Sequence, residues 1–408
     1  MSGADADVAV IGGGPAGVAA ALELRRRGVA RVVILDREPM LGGATRHCSH
    51  SPFGMREFGR IYLGAAYGRR LQADAERAGI DIRLHHSVVS LGDDGLLTLA
   101  TPGGVTRLAA RRVMIATGAR EMPRSALLAP GDRPVGILTT GALQSYVAFH
   151  GLMPFRRPLI VGSELVSLSA VITCLGHGAR PVAMIEPGPH PLARAPLTLL
   201  PRLAGIPFHT GATLVDIRGA TRVETVTVRL ADGTFRTFSC DGVLFTGRFT
   251  PEASLVRQST LALAEGSAGP AIDASGRLDN PLYFAGGNVL RAVETGGWAF
   301  REGRRVGAAI AADLGREPAE APTVSVLFDA PVKLVVPTLL RRGQSPEAFA
   351  DFQLRFARRA RGQLSLSLDG REVWAKEGDW KPERRILVPI PPGAPEADHI
   401  RFHFRERA

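Results

Sequence analysis

Gly12, Gly14 and Gly17 stand in the spacing G-x-G-x-x-G, and an acid, Asp36, follows some way on. These residue types together bind a dinucleotide. The first glycine allows a tight turn, the second lets backbone approach a pyrophosphate, and the third lets a helix press on a strand. A carboxylate at Asp36 takes a hydrogen bond from a ribose hydroxyl and repels a 2′-phosphate. Pro15 and Ala16 open the helix whose free N–H groups would face the anion, and Arg37 is a further candidate contact. A second reactive group follows in Arg46, His47, Cys48 and His50, just after the Gly42-Gly43 pair. Imidazole titrates near neutral pH and serves as a base, while neighbouring cations lower a thiol pKa. His47, Cys48 and His50 are therefore the candidate catalytic residues, and Gly43 and Arg46 candidate cofactor contacts. A zinc site from these three side chains lacks a fourth ligand, so no metal is expected.

The elements that would position these groups are legible from apolar runs and turn residues. Val8 to Ile11 is an unbroken apolar run, as in a parallel strand buried on both faces. Ala16 to Arg27 is rich in helix formers and stops at Gly28, and Val32 to Leu35 is the next strand. Tyr67 to Ala78 reads as a helix, and residues 80 to 115 as an antiparallel meander leading into a buried strand that ends at Thr117-Gly118. Residues 156 to 187 repeat the strand, turn, helix, strand plan, but the turn reads Gly162-Ser163-Glu164-Leu165-Val166-Ser167. A carboxylate at Glu164 and bulk at Ser167 oppose pyrophosphate binding, so NAD(P) is not expected there. Residues 210 to 247 alternate again, and Thr295 to Leu314 reads as a helix whose positive end, at Thr295 and Gly296, favours negative charge on a ligand. Beyond about residue 322 the pattern is strands and turns, with a helix expected from Pro346 to Arg361 and no site chemistry.

The chain has 408 residues, 45% of them hydrophobic, which is enough for two or three cores. No apolar run reaches membrane-spanning length and residues 1 to 7 are short and acidic for a signal peptide, so the cytoplasm is the expected compartment. The three cysteines, Cys48, Cys174 and Cys240, are far apart, which excludes a disulfide framework or a cluster built by this chain alone. Net charge is +11, but Lys333, Lys376 and Lys381 are the only lysines and the arginines are scattered. That argues against nucleic acid and for anionic cofactors and acidic partners; peripheral contact with the inner face of a membrane stays open.

Three separated motifs, GGGPAG near the start, ATG at Ala116 to Gly118 and YFAGGN ending at Asn288, resemble the two-dinucleotide-binding-domain flavoproteins, the superfamily of glutathione and thioredoxin reductases. The resemblance implies an α/β chain of two Rossmann-like three-layer domains plus a small, mostly β C-terminal domain. An FAD domain (1–122 and 245–320) would be interrupted by a degenerate NAD(P)-type domain (123–244), with the C-terminal domain at 321–408. It implies FAD on the first and third motifs, with Thr117, Gly118, Gly287 and Asn288 among its contacts. Asn288 stands where that family has an acid on a ribityl hydroxyl; an amide oxygen still accepts the bond. No cysteine pair matches the redox pair of the reductases.

The segments RHCSHSPFGMREFG, GAREMPRSALLAPGDRPVGILTTGALQ and VETGGWAFREGRR are similar to the FAD subunits of heteromeric amine and amino-acid dehydrogenases. That similarity implies a small amine or amino-acid substrate. It also implies two partners, a second flavoprotein subunit plus a small iron–sulfur subunit, with any cluster coming from the partner chain. Two alternatives stand beside it: a stand-alone NAD(P)H-dependent reductase of ferredoxin or a small acceptor, and a non-catalytic scaffold that holds FAD.

Overall fold

The computed structural model describes residues 3–50, 52–292, 294–316, 321–343, 347–382 and 384–407. From the N-terminus, β1 (Ala6–Ile11), α1 (Pro15–Arg26) and β2 (Val32–Leu35) form the first strand, helix, strand unit. There follow α2 (Met55–Phe58), α3 (Gly64–Arg77), β3 (Asp81–Arg83), β4 (Ser87–Leu91), β5 (Leu96–Thr101) and β6 (Gly104–Ile115). The apolar run of β1 is buried because it lies between β2 and β6, parallel to both. The expected meander is smaller than its sequence span: β3 joins the parallel sheet beside β2, and only β4, β5 and the first half of β6 are antiparallel. Strand β6 thus serves two surfaces, pairing β5 with one half and β1 with the other.

The chain leaves through β7 (Ala119–Glu121) into β8 (Ile137–Thr139), α4 (Thr140–His150), β9 (Pro158–Val161), α5 (Leu165–Gly176), β10 (Ala183–Glu186), α6 (Leu200–Leu203) and β11 (Phe208–Thr210). Next come β12 (Thr213–Arg218), β13 (Thr225–Arg229), β14 (Phe235–Ser239), β15 (Gly242–Phe245), β16 (Phe249–Pro251) and α7 (Ser254–Arg257). The second sheet has the order β11-β10-β9-β15-β8 and is parallel throughout, beside an antiparallel β12-β13-β14 sheet. Outbound β7 and returning β16 pair antiparallel, so the two crossings form one ribbon. Cys174 and Cys240 are buried in the apolar clusters of this second unit.

The first sheet is completed by β17 (Tyr283–Ala285) on β6, followed by α8 (Gly296–Asp313). Helix α8 lies almost in backbone contact with α1: a Cβ on Gly303 would stand 2.0 Å from the Ala16 carbonyl oxygen, and one on Gly307 2.7 Å from that of Ala20.

The remaining strands are β18 (Thr323–Phe328), β19 (Val332–Val336), β20 (Leu339–Arg341), β21 (Asp351–Phe356), β22 (Ala360–Leu368), β23 (Arg371–Trp380), β24 (Ile386–Pro389) and β25 (Ile400–Glu406). They form two sheets, β20-β18-β25-β22-β23 and β19-β21-β24, sharing an apolar core with Phe352, Leu364 and Phe402 at its centre. The helix expected from Pro346 to Arg361 is not formed. Pro346 lies outside the described residues, and Asp351–Phe356 is a strand whose Phe352, Leu354 and Phe356 face that core. Alternating burial against two neighbouring strands outweighs the helix-forming residues of this stretch. The domain docks through buried polar contacts: Arg341 Nε donates to Asp273 at 2.7 Å, and the Ala348 and Phe349 amides to the Ala274 carbonyl. Among the described residues no helix is long and apolar enough to cross a membrane.

Candidate functional site

The first glycine turn is held by its neighbours and left open in one direction. A Cβ on Gly17 would lie 1.9 Å from the Gly12 carbonyl oxygen, which is why α1 can press on β1 only with glycine there. At Gly14 the nearest atom to such a Cβ is 3.9 Å away, on Gly43, and Gly14 caps α1 without any side-chain cap. The amides at the α1 N-terminus therefore face open space, as an anion cradle requires. Asp36 is buried at the end of β2, where Oδ2 accepts from the Gly13 amide at 2.7 Å and Oδ1 from the Glu38 amide at 2.9 Å. Each oxygen keeps a second lone pair for a ribose hydroxyl. Burial raises the Asp36 pKa from its ordinary value. Gly12 to Ala16, Asp36, Arg37, Gly43, Arg46, Thr117, Gly118, Asn288, Thr295 and Gly296 all line one cavity, and Gly287 is not part of its lining. Its volume is about 2550 Å3, well above the roughly 300–1,000 Å3 of a small-ligand pocket and suited to a dinucleotide with a second molecule beside it. The residues present thus fit FAD.

Several candidates already have partners. Arg46 Nη2 donates to Glu38 Oε2 at 2.7 Å, and Thr117 Oγ1 to the Glu252 carbonyl at 2.7 Å. Asn288 exchanges hydrogen bonds with the Glu294 backbone, so its side chain braces the loop before α8 and offers one remaining lone pair. Gly287 carries a positive φ of 84° and donates its amide to Glu302.

The polar cluster after Gly43 is placed against the second unit. The 3-10 turn Gly43–His47 packs on α4, where His47 Nδ1 lies 3.4 Å from Ser145 Oγ and Cys48 Sγ 3.9 Å from Gln144 Oε1. His50 sits apart, its ring 5.4 Å from that of Phe53. The shift of the thiol runs opposite to the lowering expected from its neighbours: burial, helped by the Glu121 carboxylate, pushes Cys48 up to about 12. The cations that were to lower it are turned elsewhere, Arg46 towards Glu38 and Phe149. His47 is pushed down to about 4 by burial and by Arg46, so its imidazole is neutral at pH 7.

Glu121, at the end of the crossing ribbon, was not visible as a site residue. Its Oε2 accepts from the Gly141 amide at the start of α4 at 2.6 Å, while Oε1 is buried without a hydrogen-bond partner among the described residues. Burial raises its pKa. Glu121 Oε2 and His47 Nε2 stand 3.3 and 4.0 Å from the position a Cβ would take on Gly141, so the ribbon and α4 bring acid and imidazole to one spot.

The second turn is filled. A Cβ on Gly247 would meet the Glu164 carboxylate at 2.3 Å, and that carboxylate accepts from the Ser163 amide and from Ser167 Oγ at 3.2 and 3.1 Å. Ser167 Oγ also lies 2.5 Å from Thr246 Oγ1. Glu186, ending β10 as Asp36 ends β2, accepts from the Ser163 hydroxyl and from the Gly188 amide. The Glu164 carboxylate thus lies against the second turn, and Glu186 stands at the strand end as Asp36 does in the first unit.

The C-terminal sheets, expected to carry no site chemistry, close one side of the cavity. Lys333, Arg355, Arg384 and Arg385 line it together with Glu294, Thr295, Gly296 and Trp298 from the start of α8. Sequence reasoning missed them because their strands lie far along the chain from the glycine motifs.

A family profile described as pyridine nucleotide-disulphide oxidoreductase matches residues 6–308. An opine oxidase subunit of Rhizobium meliloti is 30% identical over 183 residues, covering 44% of this chain and 38% of that protein. The HcnB subunit of hydrogen cyanide synthase from Pseudomonas aeruginosa is 31% identical over 252 residues, 56% of this chain and 52% of that protein. The alpha chain of sarcosine oxidase from a Corynebacterium is 28% identical over 275 residues, 62% and 27%. The chain therefore spans about half or less of the length of these relatives. Thioredoxin reductase from T. acidophilum has a similar fold, with a TM-score of 0.62, 21% identity, and coverage of 76% of this chain and 99% of that one.

Proposed function

The chain belongs to the pyridine nucleotide-disulphide oxidoreductase family, and on that premise we propose that it is the FAD-carrying subunit of a heteromeric dehydrogenase. Its substrate is a small amine, imino acid or opine-like molecule, and its electrons leave to an iron–sulfur or flavin partner rather than to NAD(P)+. The observation that carries this reading is the contrast between the two glycine turns: the first is open at Gly14, the second occupied by Glu164. The names of the relatives, subunits of oxidases and of a synthase, support a partner chain and the substrate class. The three free cysteines, Cys48, Cys174 and Cys240, support a route that does not pass through a disulfide.

In this reading the Gly12 to Gly17 turn and the α1 N-terminus hold the pyrophosphate and Asp36 the ribose. Bound FAD supplies the acceptor for a hydride or for single electrons. The chain's own residues orient the substrate and manage its proton. Helix α4 covers the His47 side of the cavity, and the half-exposed Phe149 ring packs edge-on against His47. Neutral His47 has a single acceptor nitrogen, and an imidazole that titrates near 4 is a weak acceptor. Glu121, its pKa raised and its Oε1 unengaged among the described residues, is the stronger base at the same spot.

The test is anaerobic mixing of the FAD-loaded protein with stoichiometric NADH or NADPH, and then with a panel of amines, imino acids and opines. The flavin absorbance should persist with the nicotinamides and fall with at least one member of the panel. Rapid loss of the flavin band with NADH or NADPH would instead establish the stand-alone reductase.

A further inference from the structure

Helix α5 follows β9 through a glycine turn as α1 follows β1, but the two helices are covered differently. Helix α1 is buried from Ala16 to Ala21, with Gly303 and Gly307 of α8 against its backbone. Helix α5 is packed by α4 and α6, and its inner stripe, Val171 and Cys174, joins a core shared with Leu143 and Val147 of α4. Its twelve residues include no charged side chain. A second stripe at helical spacing, Leu165, Ile172 and Leu175, stands 53%, 47% and 40% exposed. A helix apolar on all sides belongs in an interior, so this second stripe calls for a cover.

The exposed apolar surface is wider than the helix. Phe149 of α4 and Leu197, each about half exposed, line the same cavity as Leu165 and Ile172. Beyond the cavity lining the surface continues onto Leu199 and, in α6, the 82% exposed Leu203. Arg180, just after α5, reaches within 3.0 Å of the Cβ position of Gly205, just after α6, so the two helix ends adjoin. A small apolar molecule in the cavity mouth would leave Leu175, Leu199 and Leu203 in water, whereas a protein surface covers both regions.

Composition narrows the cover. Between residues 140 and 205 there is no lysine, Arg180, Arg194 and Arg202 are exposed, and the acids Glu164 and Glu186 are turned into the second turn. Arginine without lysine round an apolar centre is the composition of a protein interface, whereas helices that lie on anionic lipid draw on lysine as well. Two copies of this face brought together would set arginine against arginine. Its complement is therefore a different chain, apolar at the centre and acidic at the rim.

We propose that the face formed by α5, Phe149 and residues 197 to 203 is where the partner chain of the heteromeric enzyme docks. The identity of this occupant rests on the proposed dehydrogenase reading. A chain seated there borders the cavity that the first glycine turn lines, and so meets the cofactor site at its mouth.

The test purifies the tagged full chain from its native host and identifies the proteins that come with it in fixed ratio. The wild type is compared with Ile172→Asp, Leu203→Asp and Arg202→Glu, and with Val105→Asp on β6, a control position 74% exposed. The expected partner carries its own flavin or iron–sulfur cluster and is held by the wild type and by Val105→Asp. Its yield should fall at least about tenfold in the two aspartate variants and about threefold in Arg202→Glu. Urea unfolding checks that each variant folds, and the highly exposed Leu203 and Arg202 carry the test if Ile172→Asp does not. Retention of that partner by the folded face variants overturns the docking surface and leaves the dehydrogenase standing. A partner lost from the face variants but bearing no redox centre, in a protein whose flavin no amine reduces, keeps the surface and removes the dehydrogenase. A wild type that brings no partner overturns the proposal, whether light scattering then shows a dimer that Leu203→Asp separates or the protein floats with vesicles of phosphatidylglycerol and phosphatidylcholine.

Discussion

Adding one methyl group at Gly14 or at Gly17 should separate cofactor binding from folding within a single turn. At Gly17 the new Cβ would be 1.9 Å from the Gly12 carbonyl oxygen and 3.1 Å from Val10 Cγ1. Relieving that overlap needs α1 to move off β1 by more than about 1 Å before ordinary van der Waals contact is reached. Helix α8 blocks the movement, because Gly303 and Gly307 already bring it against the α1 backbone. Gly17→Ala should therefore destabilise the FAD-free protein by about 1–3 kcal/mol or more. At Gly14 the nearest atom is 3.9 Å away and φ is −76°, so alanine fits the free fold without strain. Its methyl would instead stand in the space the pyrophosphate takes. Gly14→Ala should unfold in urea like the wild type, within ~0.5 kcal/mol, yet bind FAD at least tenfold more weakly, a loss of ~1.4 kcal/mol. Urea unfolding of the FAD-stripped variants and FAD titration by fluorescence quenching give the two numbers. Equal destabilisation of the two variants, or wild-type FAD affinity in Gly14→Ala, would refute the assignment of one glycine to packing and the other to the cofactor.

Two further outcomes follow from buried charge. The folded-state pKa of His47 is depressed from 6.5 to about 4, so the unfolded chain binds the extra proton between those values and His47 costs stability as pH falls from 6.5 towards 4. Relative to His47→Asn, the wild type should lose about 3 kcal/mol across that window and nothing above pH 6.5; a difference that is flat from pH 7.5 to 4.5 in urea unfolding would contradict the burial of this ring. Glu302→Gln leaves Arg291, 2% exposed, without its carboxylate and should cost about 3–5 kcal/mol, whereas Glu406→Gln in the exposed Arg358 pair should leave the urea midpoint unchanged. A Glu302→Gln loss under about 1 kcal/mol would show that the pair is compensated in another way.

Much of the first unit was determined by the sequence alone, because local chemistry leaves it few choices. Glycines spaced for a turn and a close helix, an apolar run too uniform for a surface strand, and an acid closing the second strand all act within about 30 residues of one another, and each constraint points the same way. The departure of the second turn from the glycine pattern was equally legible, since Glu164 and Ser167 stand in it in the sequence. Only tertiary structure decided what the reactive side chains became. Cys48 sits among cations in sequence, but in the fold burial and the Glu121 carboxylate both push its thiol up. Glu121 and His47 both reach Gly141 only because the crossing ribbon places Glu121 at the start of α4. Asp351–Phe356 became strand because two neighbouring strands and an apolar core were waiting for its alternate side chains. The charged wall of Arg355 and Arg385 likewise arises from segments that are adjacent only after the C-terminal sheets dock on the loop before α8. Burial and charge at such a surface depend on which distant segments meet there, and a linear reading of residue types does not contain that information.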